Sequence, residues 1–202
     1  MKELNIGLFG LGTVGSGIFT VLQRARNCHA RISRICVRSL SKPRAVEVPE
    51  NILTDNPADI LSDPDIDLVV EVIDNAEASF AIVSEAMRRG KSVVSGNKAM
   101  IARHLPELIE LQRQTGTALL YDASACGSIP VIRNLEEYYD NDLLLEVKGI
   151  LNGSSNYILS RVFDHAESYD SALAQAQALG FAESDPSFDI EGYDSLFKLV
   201  II

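Results

Sequence analysis

The chain has 202 residues and a formal net charge of −10. That length allows a substantial core, while the acidic balance argues against a nucleic acid or an anionic membrane surface as partner. No run approaches the ~18 apolar residues that span a bilayer, and the N-terminus lacks the basic-then-apolar pattern of a secretory signal. Cys28, Cys36 and Cys126 are far apart and odd in number, which suggests reduced thiols in a cytoplasmic protein. His29, His104 and His165 show no metal-like spacing, so a non-metalloenzyme is expected.

Ile6, Leu8 and Phe9 form a short apolar run that leads straight into Gly10-Leu11-Gly12-Thr13-Val14-Gly15, a G-x-G-x-x-G spacing. Gly10 permits the turn off the strand, Gly12 leaves a pyrophosphate room to approach, and Gly15 lets the next helix lie close to the sheet. A helix over Thr13 to about Arg24 is predicted, with Ile18, Val21 and Leu22 as its buried stripe. Its first-turn amides, around Gly12, Thr13, Val14 and Gly15, would face phosphates. A second strand at Arg31–Val37 ends on Arg38-Ser39, with Lys42 and Arg44 beyond, where an NAD site usually places an acid. A guanidinium beside a hydroxyl suits a 2′-phosphate, so Arg38 favours NADP, with NAD as the alternative.

A helix at Asn56–Leu61, a strand at Asp67–Ile73, a helix at Ala76–Arg89 and a strand at Ser92–Ser95 follow. A helix at His104–Gln114 and a strand at Ala118–Tyr121 complete the alternation. The pattern is that of an α/β, doubly wound, Rossmann-type parallel sheet over residues 1–130, with a partial second α+β domain over 131–202. The loops at Asp74, Ser95–Ala99 and Asp122–Pro130 should gather at the carboxyl edge of the strands.

Ile129–Tyr138 reads as a helix, Leu143–Ile150 as a strand, and Asn152-Gly153 as a turn before a helix starting near Tyr157 and capped by Ser154, Ser155 or Asn156. Tyr169–Leu179 reads as a helix, and a last one starts near Asp189 or Ile190. Beyond Leu196 that helix is apolar on almost every side, which predicts a core position. Lys198 stands four residues after Asp194 and must pair with it or line a polar pocket, which Glu183, Asp185 and Asp189 could close.

Five segments together resemble homoserine dehydrogenases: G-L-G-T-V-G from Gly10, V-V-S-G-N-K-A-M-I-A from Val93, Y-D-A-S-A-C-G-S-I-P-V-I from Tyr121, G-I-L-N-G-S-S-N-Y-I-L from Gly149, and the long run Ala176–Leu199. The resemblance implies an enzyme that interconverts L-homoserine and L-aspartate 4-semialdehyde with a nicotinamide cofactor, on the route to threonine and methionine. It places the proton-transferring lysine on Lys198, its companion acid on Asp194, and a second lysine near cofactor and substrate on Lys98. Glu183 and Asp189 fall on acids that hold the amino-acid end of the substrate or shape its pocket. A monovalent cation, typically sodium, is implied at Tyr121–Ser128, with Asp122, Ala125 and Gly127 as ligands. A homodimer formed through the substrate domain is also implied.

The chain departs from that pattern in places. Asp74-Asn75 replace a glycine pair, Asp122 replaces a glutamate, Ser95-Gly96 replace Thr-Ala, and the 121–128 loop is one glycine short. The family pattern also continues well past Lys198, so the chain looks truncated, and a non-catalytic fragment that binds NADP or a protein partner is the alternative reading. Another dehydrogenase of this architecture, such as an aspartate or semialdehyde enzyme, is disfavoured because no cysteine or histidine nucleophile has a convincing setting; Cys126 reads as a small packed residue.

Overall fold

The computed structural model describes residues 3–25, 28–127, 129–141 and 143–202. The chain divides into two compact units, Met1–Ile129 and Pro130–Ile202.

The first unit is built on strands β1 (Leu4–Phe9), β2 (Ala30–Cys36), β3 (Leu53–Thr54), β4 (Leu68–Glu71), β5 (Ser92–Ser95) and β6 (Leu119–Leu120). They pair in the order β3-β2-β1-β4-β5-β6, and every pairing is parallel. Strands in such a sheet are covered on both faces, which is why they read as unbroken apolar runs. Ile6, Leu8, Ile35 and Val70 pack with Phe19 of α1 (Thr13–Arg24). Gly7 belongs to the opposite face, where a Cβ would lie 2.3 Å from Ile60. Helices α2 (Ala58–Leu61), α3 (Ala76–Arg88) and α4 (Lys98–Thr115) connect the later strands, and α5 (Asp122–Cys126) follows β6.

Two expectations for this unit need correction. The buried residues of α1 are Gly15, Ser16 and Phe19, while Val21 is 65% exposed. Phe19 lies four residues after Gly15 and so shares the sheet-facing stripe with it, and Val21 is turned away. Helix α4 begins at Lys98, not at His104, and carries Pro106 in its interior. The Asn97 side chain caps it by accepting from the Met100 amide, and Met100, Ile101 and Leu108 are buried beneath it. Those contacts offset an interior proline, which costs a helix about 3 kcal/mol.

The second unit contains α6 (Val131–Tyr138), α7 (Gly153–His165), α8 (Tyr169–Ala178), α9 (Ser187–Ile190) and α10 (Tyr193–Ile201). Its small core is Ile158, Ala172, Ala176 and Ala182, with Tyr157, Val162 and Leu173 against it. Alanines on α8 let α7 approach closely, and Tyr157 stacks on Phe181 with ring centres 4.8 Å apart. The strand expected at Leu143–Ile150 is absent: none of its described residues has strand structure, and Leu143 and Leu145 are 86% and 92% exposed. A strand needs a neighbour to take its amides and carbonyls, and among the described residues of this unit none pairs with it. The last helix is also not continuous. Gly192, at φ +84°, separates α9 from α10, and beyond Leu196 only Ile201 is buried, so the expected core position is not observed for Leu199 and Val200.

Glycine geometry in α1 gives a paired test. A Cβ on Gly15 would stand 2.2 Å from the Gly10 carbonyl oxygen, whereas one on Gly17 meets nothing within 4 Å. Gly15→Ala should therefore destabilise the protein by about 2 kcal/mol or more, and Gly17→Ala should stabilise it by about 0.5–1 kcal/mol, both read by denaturant unfolding.

Candidate active site

In the first unit the glycine loop closes tightly. Gly10 turns off β1 at φ +96°, and its amide donates to the Cys36 carbonyl at 3.0 Å. Gly12 precedes α1 with no side-chain cap, and a Cβ there would meet nothing within 4 Å. Space above Gly12, close packing at Gly15 and the exposed first-turn residues Thr13 and Val14 leave helix amides available to an anionic group. These residues fit a dinucleotide pyrophosphate.

Arg38 lies just past β2 and pairs with Asp74 at 3.3 Å, both side chains being about 85% exposed. The Asp74 carboxylate is thus engaged from the β2 side. Asn75 uses its side chain to cap α3, accepting from the Ala78 amide at 2.9 Å. Arg44 folds back on its own loop and donates to the carbonyls of Ser39, Leu40 and Lys42. Arg38 is therefore the guanidinium held by an exposed carboxylate, and such pairs are weak, so an incoming phosphate can compete for it.

The ends of β4 and β5 carry a buried polar network that spacing does not reveal. Glu71 Oε1 accepts from the Ile73 amide and Oε2 from the Ser95 hydroxyl, each at 2.7 Å. Ser95 Oγ accepts from the Asn97 amide at 3.1 Å, and Asn97 Nδ2 donates to the Ile73 carbonyl at 3.0 Å. Lys98, half-buried, is the first residue of α4.

For the sodium site, the expected acid and carbonyls fall on α5. Asp122 opens this short helix, Ala125 is buried within it, and Gly127 closes it at φ +60°. Asp122 supplies a carboxylate, and Ala125 and Gly127 supply main-chain carbonyls, a set of hard oxygen donors of the kind a small cation takes. Ser128 lies outside the described residues.

In the second unit Lys198 Nζ pairs with Asp194 Oδ2 at 2.8 Å and donates to the Leu151 carbonyl at 2.6 Å. Asn152 Nδ2 donates both to Asp194 Oδ2 (3.0 Å) and to Asp189 Oδ1 (2.8 Å), bridging the two acids. The Ser154 hydroxyl lies 3.0 Å from Asp189 Oδ2, and the Ser155 hydroxyl donates to the Asp189 carbonyl at 3.2 Å. Asn152 also caps α7, its Oδ1 accepting from the Ser155 amide at 2.7 Å, so Ser154 and Ser155 lie inside the first turn and are not the cap. Glu183 is exposed, and its main-chain carbonyl accepts from Gln177. Asn-Gly reads as a turn, which hides Asn152; an Asn immediately before a helical stretch is the signal that finds it.

The sequence pattern behind these two sites is a family's. The model described as the homoserine dehydrogenase NAD-binding domain matches residues 10–122, and the homoserine dehydrogenase model matches residues 130–202. The chain belongs to the homoserine dehydrogenase family. It is 37% identical to the Bacillus subtilis homoserine dehydrogenase, covering 100% of this chain and 48% of that one, and 40% identical to the Synechocystis enzyme, covering 98% and 47%. Among solved structures, a homoserine dehydrogenase from Thiobacillus denitrificans superposes with a TM-score of 0.82 at 39% identity, over 98% of this chain and 48% of that one. A hyperthermophilic archaeal homoserine dehydrogenase in complex with NADPH superposes with a TM-score of 0.76 at 27% identity, over 100% and 68%. The chain thus spans about half the length of the curated family members it matches. No helix is long and apolar enough to cross a membrane among the described residues.

Asp194 is the hub of the second cluster, with its side chain 8% exposed and that of Lys198 21% exposed. Asp194→Ala would leave a largely buried ammonium without its counter-charge, and should cost about 3 kcal/mol of stability. Chemical denaturation followed by far-UV circular dichroism measures it.

Proposed function

We propose that this chain carries the cofactor site and the proton-transferring residues of an NADP-dependent homoserine dehydrogenase that interconverts L-homoserine and L-aspartate 4-semialdehyde. The observation that carries the reading is the Lys198 ammonium, held by Asp194 and the Leu151 carbonyl in a cluster of polar residues at the start of α7 and α10. Family membership makes that lysine a candidate for chemistry and not simply a buried ion pair.

A bound nicotinamide dinucleotide supplies the hydride. The backbone from Gly10 to Gly15, including Thr13 and Val14, holds the pyrophosphate, and Arg38 exchanges Asp74 for the 2′-phosphate. Reduction of the semialdehyde leaves negative charge on its carbonyl oxygen, which needs a proton and a nearby cation. Lys198 donates the proton, Asp194 keeps the ammonium oriented, and Lys98 is the second cation. In the reverse direction Lys198 takes the proton from the homoserine hydroxyl. Asp189 binds the substrate ammonium: Asn152 and Ser154 already use part of its carboxylate, but two oxygens offer about four acceptor positions. Glu183 is the second acid for that group. A sodium ion would be held by the Asp122 carboxylate and the main-chain oxygens of Ala125 and Gly127.

One observation favours a second reading, in which the chain binds NADP without turning over. Leu143–Ile150 lies exposed and unpaired among the described residues of its unit, which leaves the second unit with little core around the Lys198 cluster. Mixing the 202-residue protein with NADPH and L-aspartate 4-semialdehyde separates the two. Steady loss of NADPH absorbance supports the enzyme, whereas saturable NADPH binding with no turnover supports the second reading, and absence of both rejects the two together. Lys198→Ala should lower the rate of the chemical step about 10²–10⁴-fold and leave NADPH affinity unchanged in a fluorescence titration. Arg38→Ala should weaken NADPH about tenfold with no effect on NADH, because a phosphate–guanidinium pair is a charge-assisted contact worth about 1.5–3 kcal/mol.

A further inference from the structure

Glu71 is fully buried (0% exposed) although it ends β4 at the carboxyl edge of the sheet. A carboxyl group is an expensive occupant for such a place, since taking it out of water costs more than packing an apolar side chain. The ladder already pairs Glu71 with Ser95 through the backbone, so the strands do not need this side chain to stay in register. Its two oxygens instead serve different loops. One accepts from Ile73 in the turn leading to Asp74, and the other accepts from Ser95 at the entrance to Asn97 and Lys98. Asn97 closes the ring by donating to the Ile73 carbonyl and receiving Met100 at the start of α4. Burial pushes the Glu71 carboxyl above the ordinary carboxylate range, against the opposing influence of Ser79, Ser95 and the Ile73 amide, which lower it.

Strand order locates what this ring could control. In an open sheet of this kind the dinucleotide lies across the point where the order reverses, one half serving each end of the cofactor. Here β1, β2 and β3, with Arg38, form the adenosine half, and the half that starts at β4 is the nicotinamide half. We infer that Glu71 is a positioning residue for the nicotinamide end of the cofactor, fastening the loops after β4 and β5 into one wall and thereby fixing where Lys98 begins α4. The inference rests on the dinucleotide site proposed above. Arg38 meets the same turn through its exposed pair with Asp74, which is not a member of the ring.

The test compares two ligands on the full 202-residue protein: NADPH, which occupies both halves, and adenosine 2′,5′-bisphosphate, which occupies the adenosine half alone. Glu71→Leu leaves the Ile73 amide and the Ser95 hydroxyl without their acceptor, a loss expected to weaken NADPH about tenfold. The bisphosphate should change less than about twofold, since Arg38 and the glycine loop take no hydrogen bond from the Glu71 side chain. A merely structural glutamate would weaken both ligands together or neither, and either result overturns the inference. If circular dichroism shows Glu71→Leu to be unfolded, Glu71→Gln decides by the same split: it keeps an acceptor for Ile73 and presents a donor to Ser95, with an expected loss of about threefold for NADPH. Wild-type protein that binds neither ligand would reject the dinucleotide site itself and the inference with it. Wild-type binding of both ligands with no split in the folded variant rejects the inference alone.

Discussion

A contact between two glycines organises the first unit. Gly15 brings the first turn of α1 so near the Gly10 carbonyl that no side chain fits between them. That approach points the helix's amides at the carboxyl edge of β1, and it makes the loop narrow enough to leave open space over Gly12. Hydrophobic burial around Phe19, Leu8 and Ile35 stabilises the arrangement without setting its geometry. Close backbone packing does that, and it is also why the loop suits a phosphate better than any side-chain donor would: the donors are main-chain groups that cannot swing away.

The second unit solves a different problem. Its core is small and made largely of alanine, and a buried charged group, Asp194, lies in a polar cluster instead. Lys198, Asn152, Asp189 and the α7 serines satisfy one another through short hydrogen bonds. A network of this sort is poor at generating stability, because desolvation offsets much of its Coulomb energy. It is good at holding an amine and two carboxylates in one relative arrangement. That is what the proton-transfer role proposed above would ask of its scaffold, at the expense of a larger apolar core.

Legibility follows the physics of each element. The turn from β1 into α1 reads directly because strand, glycine spacing and helix all agree locally; the exception is Val21, where hydrophobicity alone outweighs the angle set by Gly15. Pro106 draws the expected start of α4 six residues too late, since a proline belongs in a first turn, and the true cap at Asn97 lies before it. Asn152 reads as a turn residue although its side chain serves both a helix cap and two acids. Leu143–Ile150 has the composition of a strand, but pairing is a property of a neighbour and not of the segment. Lys198 and Asp194 are legible because an ammonium set in an apolar run needs a counter-charge, and Asp194 stands one helical turn before it. Glu71 is not, since one acid at the end of an apolar strand carries no periodic signal, and only its surroundings show that it ties two loops together.

The exposed run from Leu143 to Ile150 has a practical consequence for the molecule in solution. Leucine and valine side chains project from a backbone whose amides and carbonyls are not used in a ladder, which is a template on which another extended chain can dock edge to edge. Self-association would then grow with protein concentration by main-chain zippering. Glu146 and Lys148, paired with each other within that run, are the charges positioned to oppose it.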